Sequence, residues 1–276
     1  MTIAILLATY NSEKYLCEQL DSLFAQSEQN FTIYIHDDGS TDSTLTIIAD
    51  YSNTNPKRIV LLADTVQGRG AKESFMWLLE KTTAEYYMFC DHDDFWLPNK
   101  IELTLAKMEQ VEVIFPEKAI IVHTDLQVVD ENLVLIHPSF VNRTKLKVHV
   151  LKNFNYIGVC NCVTGCTMMI NEEAKKQSLP MSADAPMHDW WIAAKVASMD
   201  GIIDFVDQTT ILYRQHATNV VGARDISAKY FVNKILHLFA TLKGQRDLFP
   251  FHKAINYGGL WKFYWYKIIY TIKRNL

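Results

Sequence analysis

Three aspartates in four positions, Asp91-His-Asp93-Asp94, follow the apolar run Tyr86-Tyr-Met-Phe-Cys90. Side chains alternate across an extended strand, so Asp91 and Asp93 project from one side of its end. Adjacent carboxylates repel unless positive charge lies between them. A hard divalent cation held by oxygen meets that need, commonly keeping substrate phosphates among its ligands. The same residues also suit a solvated acidic loop or a helix N-cap, because Asp94 and Asn99 lie near a helix start. A second polar run, Asp37-Asp-Gly-Ser-Thr-Asp42, follows the apolar stretch ending at His36. Asp38 there is suited to accept the imide N–H of a uracil or thymine ring; a capped turn is the plainer alternative, since Asp, Gly, Ser and Thr all favour turns and caps. An aspartate-nucleophile phosphatase reading fails at the nucleophile position, where His36 stands.

The elements that must hold these residues alternate short apolar runs with helix-period segments in the first half of the chain, the pattern of a mostly parallel sheet with helices on both faces. Strands are expected at Ile3 to Ala8, Thr32 to His36, Ile59 to Ala63, Tyr86 to Cys90 and Ala119 to Thr124. Ser12 or Asn11 would cap a helix through about Ala25, and Thr41 or Asp42 one through about Tyr51. Gly70 precedes a helix ending near Lys81, and Pro98 opens one reaching about Val111. Ligands of open α/β sheets bind beyond the carboxyl ends of the strands. Thr9-Tyr-Asn11, Asp37-Asp-Gly-Ser40 and Asp91-His-Asp-Asp94 fall there. After about Thr124 the pattern changes to hairpin-like strands, a glycine-cysteine turn and a helix beginning near Asp189, an α+β half with no linker before it.

At 276 residues, with 49% hydrophobic and 21% charged residues, the chain suits one catalytic unit with a modest appendage. A net charge of -4 offers nucleic acid no global attraction. Five cysteines and an N-terminus that reads as a buried strand suit a reducing cytoplasm. Cys160, Cys162 and Cys166 are clustered, but the fourth ligand that a structural zinc site needs is not evident nearby, and they read as small buried residues.

Ala8-Thr-Tyr-Asn11, Asp37-Asp-Gly-Ser-Thr-Asp42 and Asp91-x-Asp93, in this order, resemble the donor half of family 2 glycosyltransferases of the GT-A fold. The resemblance spans about residues 1 to 220. It implies that Thr9, Asn11 and Glu13 line a nucleotide-sugar pocket, with Tyr10, Ser40 and His92 beside them. Asp38 would hold the pyrimidine, Asp91 would lie near the ribose and share the cation, and Asp93 would bind Mg²⁺ or Mn²⁺. Gly165-Cys-Thr-Met-Met-Ile170, Met187-His-Asp-Trp-Trp191, Leu212-Tyr-Arg-Gln-His216 and Cys90-Asp-His-Asp-Asp-Phe-Trp96 resemble the bacterial rhamnosyltransferase subset. In that subset the acid at the position of Asp189 is the general base, and Gly165, Cys166, His188 and Trp190 would border the acceptor. The implied reaction is an inverting transfer, with L-rhamnose from dTDP-rhamnose the first choice of donor. The acceptor would be a hydroxyl of a glycan or lipid-linked saccharide in cell-surface polysaccharide synthesis. A UDP-hexose donor and a non-catalytic nucleotide-sugar binding module stay open as alternatives.

The chemistry needs such a base independently, because an acceptor hydroxyl attacks an anomeric carbon well only as its proton leaves. Asp189 is equally suited to N-cap the helix before Trp190-Trp-Ile-Ala-Ala-Lys. Arg214 and His216 would close over the diphosphate as positive charge and metal ligand, with a surface ion pair and a packed histidine as the alternatives. Arg69 and Lys72, framed by Gly68 and Gly70, pose the same choice.

The expected domain layout is residues 1–226 as the catalytic unit, divided into a donor half 1–124 and an acceptor half 125–226, followed by a helical extension 227–276. The stretch from Gly258 to Arg274 is too short and too charged to span a bilayer. At about 100° per residue it places Leu260, Trp261, Tyr264, Trp265, Ile268, Ile269 and Ile272 on one face, and Lys262, Lys267, Lys273 and Arg274 on another. Such a helix suits peripheral contact with the inner face of the plasma membrane, or packing against the catalytic unit.

Overall fold

The computed structural model describes residues 2–216 and 247–276. The expected boundary at 226 and the start of the extension, 227–246, lie outside the described residues. The strands are β1 (Ile3–Thr9), β2 (Phe31–Asp37), β3 (Ile59–Leu61), β4 (Tyr86–Asp91), β5 (Phe95–Trp96), β6 (Ile120–Val129), β7 (Leu135–His137), β8 (Met168–Asn171) and β9 (Ile202–Arg214). The helices are α1 (Leu16–Phe24), α2 (Thr44–Thr54), α3 (Ala71–Lys81), α4 (Lys100–Ile114), α5 (Phe140–Thr144), α6 (Val148–Leu151), α7 (Phe154–Ile157), α8 (Glu172–Ser178), α9 (His188–Ser198), α10 (Phe249–Ala254) and α11 (Leu260–Asn275).

One sheet joins all of the described strands, in the order β3-β2-β1-β4-β8-β6-β9-β5, with β7 paired to β6. The donor half is parallel throughout, β3-β2-β1-β4. Antiparallel pairs enter with β8, which lies between β4 and β6, and with β5 and β7. Because side chains alternate across a strand, β1 feeds two cores. Ile3, Ile5 and Leu7 join Leu16, Leu20, Ile48, Ile101 and Met108 from α1, α2 and α4 on one face. Ala4, Leu6 and Ala8 join Phe75, Leu78, Trp191 and Ile192 from α3 and α9 on the other. The second core also takes in Phe251 of α10 and Phe263 and Tyr270 of α11, so the C-terminal helices are built onto the catalytic unit.

Register brings the polar runs together. Thr9 pairs with Asp37 and Ala8 with Asp91, so central β1 ends between the two acidic segments. Several element starts differ from expectation. A turn over Ser12 precedes α1, with Tyr15 and Leu16 N–H donating to the Ser12 carbonyl, and no side chain caps this helix. Asp42 accepts from the N–H and hydroxyl of Thr44 at the start of α2, serving it from just outside. Asp189 is not an N-cap: Met187 is the boundary residue, and Asp189 sits in the first turn of α9.

Candidate active site

A cavity of about 940 Å³ opens at the carboxyl end of the donor strands. That is ample for a nucleotide-sugar. Thr9, Tyr10, Asn11, Asp38, Asp91, His92, Asp93, Gly165, His188, Asp189, Trp190 and His216 line it, so most of the residues singled out in the sequence converge on one space.

At the β1–β2 end the cavity is bordered by a closed network of turn hydrogen bonds. Asp37 accepts from the Thr9 hydroxyl at 2.9 Å, the Ser40 hydroxyl at 2.6 Å, and the N–H groups of Gly39 and Ser40. Asn11 has φ 46°, a left-handed conformation that Asn tolerates, and its side-chain oxygen accepts from the Thr41 N–H at 2.9 Å. Asp38 accepts from the backbone N–H groups of Arg69 and Gly70 at 2.8 and 2.7 Å. Gly68 and Gly70 both have φ 75°, which glycine adopts without strain, so the loop can turn its amides onto that carboxylate.

The end between β4 and α9 carries charge held against its preference. Burial, and then the nearby charges of Asp93 and Asp189, raise the Asp91 carboxyl well above the ordinary range. Burial raises Asp189 to about 6, opposed by the N–H groups of Trp190 and Gly165, which its carboxylate accepts. Asp93 pairs with His216, its Oδ2 2.7 Å from Nε2, and the His216 ring rests against Tyr15. His188 is buried between Phe75 and Phe89 with neither ring nitrogen hydrogen-bonded. Burial lowers its pKa to about 3, so it is a neutral imidazole, with one donor and one acceptor, at working pH. Gly165 matters here for space: a Cβ at that position would come within 2.6 Å of His188 Nε2.

Five of the expected ligand-binding residues, and one expected at the acceptor, do not line the cavity. Arg214 is buried behind Asp93. It donates from Nε to the Asp93 carbonyl at 2.8 Å and from its backbone N–H to Asp94, pairs with Glu18, and stacks on Tyr15. It shapes the acidic turn from behind. Arg69 is drawn aside by Asp64, whose carboxyl that pairing holds well below the usual range. Lys72 donates to the carbonyls of Ala183 and Ala185, joining α3 to the loop before α9. Glu13 accepts from the Ser43 N–H at the head of α2, and Ser40 supports Asp37 and the Asn11 N–H. Cys166 lies beneath the site, where its sulfur and oxygens of Asp91 and Asp94 fall within 4.8 Å of one another. Asp94 and Cys166 are fully buried and border no part of the cavity.

A cation that also binds substrate phosphate therefore fits the open edge, Asp91, Asp93 and His216, better than that closed pocket. The fit has a second reason. With Arg69, Lys72 and Arg214 tied elsewhere, four carboxylates, Asp38, Asp91, Asp93 and Asp189, line the cavity with little positive charge opposite them among the described residues. Among the described residues the lysine or arginine that does line it is Arg274, from α11, which donates to the Thr144 carbonyl at the far end. Sequence spacing put Arg274 only on a basic helix face. Its approach depends on how α11 docks.

A parallel donor half with two acidic turns at its carboxyl edge, facing a helix-borne carboxylate, is the layout of a GT-A glycosyltransferase. Residues 4–174 match the family described as Glycosyl transferase family 2, and the chain belongs to it. It is 30% identical over 237 residues to the dTDP-rhamnosyl transferase RfbG of Shigella flexneri, covering 81% of this chain and 76% of that protein. Among solved structures it is similar to S. aureus TarS 1-349 in complex with UDP-GlcNAc, with TM-score 0.59, 19% identity, and coverage of 84% of this chain and 63% of that one. It is also similar to the mannosyltransferase PcManGT of Pyrobaculum calidifontis in complex with GDP-Man and Mn²⁺, with TM-score 0.59, 17% identity, and coverage of 80% and 58%. The chain spans less than two thirds of those solved chains, and at such identities they speak to the fold alone.

Proposed function

We propose that the chain is an inverting, metal-dependent rhamnosyltransferase, taking L-rhamnose from dTDP-rhamnose to a hydroxyl of a glycan or lipid-linked saccharide. The observation that carries the transferase reading is the placement of Asp189, a carboxylate of raised pKa held by two backbone amides across one cavity from Asp91 and Asp93. In this reading the base and the departing diphosphate lie on opposite faces of the sugar, so one displacement inverts the anomeric centre. Asp189 takes the acceptor proton, and its raised pKa matches it to that task near neutral pH.

Asp93, Asp91 and His216 would hold Mg²⁺ or Mn²⁺. When bound, the ion offsets charge on the departing phosphate as a Lewis acid. Manganese accompanies GDP-Man in the PcManGT structure, which supports a divalent ion here. Asp38 would accept the pyrimidine imide N–H with lone pairs its two backbone bonds leave free. Rhamnose rests on the likeness to RfbG, and the UDP-GlcNAc complex of TarS keeps a UDP-hexose as the second reading.

A panel of dTDP-rhamnose, UDP-hexoses and GDP-mannose, each with Mg²⁺ or Mn²⁺, tests all of this. The matched donor should stabilise the protein to heat and release a nucleoside diphosphate. Preference for a UDP-hexose would overturn rhamnose alone. Release of pyrophosphate would overturn the transferase reading and favour a nucleotidyltransferase.

A further inference from the structure

The terminal helix α11 has two apolar faces, and among the described residues only one is packed. Phe263 and Tyr270 are buried in the core, and Tyr266 meets Tyr156 edge-on with ring centroids 5.2 Å apart. The Lys267 ammonium donates to the Val159 carbonyl at 2.8 Å, and Arg274 donates to Thr144. On the opposite side Trp261, Trp265, Ile268 and Ile272 are 89%, 63%, 58% and 56% exposed, and Leu276 is 92% exposed. Spacings of four, three and four residues bring the first four within a narrow arc of the helix. The face expected from the sequence is this exposed stripe with its flanks, and the buried face of Phe263 and Tyr270 is not part of it. Leu260, Tyr264 and Ile269 flank the exposed stripe half-buried.

The two segments that pack together at this helix are one-sided in charge. Residues 132–171 and 248–276 together contain nine Lys and Arg and no Asp or Glu; all 31 acidic residues lie elsewhere in a chain of net charge -4. The two stretches are packed on one another, since the Lys147 N–H reaches the Tyr270 hydroxyl and Arg274 reaches Thr144. Lys145, Lys152, Lys253 and Lys273 are exposed on them. No helix among the described residues is long and apolar enough to cross a membrane.

From these observations we infer that the outer face of α11 docks on an anionic lipid bilayer, with Trp261 and Trp265 at headgroup depth and the surrounding lysines over acidic headgroups. Tryptophan suits that depth because its ring is apolar and its N–H finds a polar partner there. A short apolar stripe with basic flanks binds such a surface without spanning it, and each lysine near the surface strengthens attraction to it. The same helix sends Arg274 into the cavity wall, where Leu126, Phe140, Leu146 and Val163 add apolar surface. An acceptor held at the bilayer would approach from this end. The docking itself does not depend on which donor the enzyme uses.

The test is co-sedimentation of the full chain with vesicles of phosphatidylglycerol and phosphatidylcholine in about equal proportion, against phosphatidylcholine alone. The wild type should sediment with the anionic vesicles, lose that binding as salt rises, and show blue-shifted tryptophan emission. Trp261→Ser with Trp265→Ser should weaken binding at least tenfold, and Lys145→Glu with Lys273→Glu should weaken it on anionic vesicles. Circular dichroism and stabilisation by donor nucleotide, which report the fold and the other end of the cavity, should not change in these variants. Wild type that ignores anionic vesicles, or a Trp261/Trp265 variant that binds as wild type, overturns the proposal. So does a dimer, seen by sedimentation velocity, that dissociates in this variant without any vesicle binding, because the stripe would then serve a second copy.

Discussion

At the β1–β2 end of the cavity the acidic side chains are already satisfied, whereas at the end between β4 and α9 they are not. Asp37, Asp38 and Asp42 each accept two or more hydrogen bonds from neighbouring turns. Across the cavity, burial raises Asp91 and Asp189, and the His188 ring and the Ser74 hydroxyl are buried without partners. The first wall is rigid before a ligand arrives, as low-cost recognition requires. The second keeps buried polar groups that only a ligand or cation can satisfy, a common trade of stability for activity. The proposed chemistry falls where the fold leaves polar groups least satisfied.

The largest effect that can break this contrast is at Asp189. Asp189→Asn should lower kcat about a thousandfold with donor affinity little changed, since only the proton acceptor is lost. Steady-state kinetics with the matched donor would show it, and a variant at wild-type rate would remove Asp189 from the chemistry. The same variant should be more heat-stable than wild type at pH 8. A raised native pKa means the ionised carboxylate costs stability above about 6, and that cost fades as pH falls towards 4.

Next in size, Asp93→Ala should lower kcat/KM about a hundredfold and abolish the metal dependence of donor binding, measured by calorimetry with and without Mn²⁺. Retained metal dependence would shift the ion to the buried group of Asp91, Asp94 and Cys166. On the rigid side, Asp38→Ala should raise the donor KM about tenfold and lower the melting temperature, because the Arg69 and Gly70 amides lose a charged acceptor, while kcat barely moves. A fall in kcat instead would mean the two walls act as one. The mildest test is pH. Activity should be full above about 6 and fall up to tenfold per unit below it, as Asp189 takes up its proton. A bound cation draws this limb lower, since positive charge nearby favours the ionised carboxylate.

Sequence alone determined the order of elements in the donor half, because period-2 and period-3.6 patterns are local. Each expected strand there exists within a few residues, and β1, β2 and β4 end beside the polar runs as the alternation required. Motif and resemblance also singled out Asp91, Asp93 and Asp189, which line one cavity, since short carboxylates stay close to the backbone that carries them. Tertiary structure alone decided the long cations. Arg69, Lys72 and Arg214 have reach enough to find Asp64, the carbonyls before α9, and Glu18, none of which spacing reveals. The choice between the two apolar faces of α11 was likewise beyond the sequence. Both are apolar at helical spacing, and only the shape of the core around Phe263 and Tyr270 settles which is buried and which faces outward.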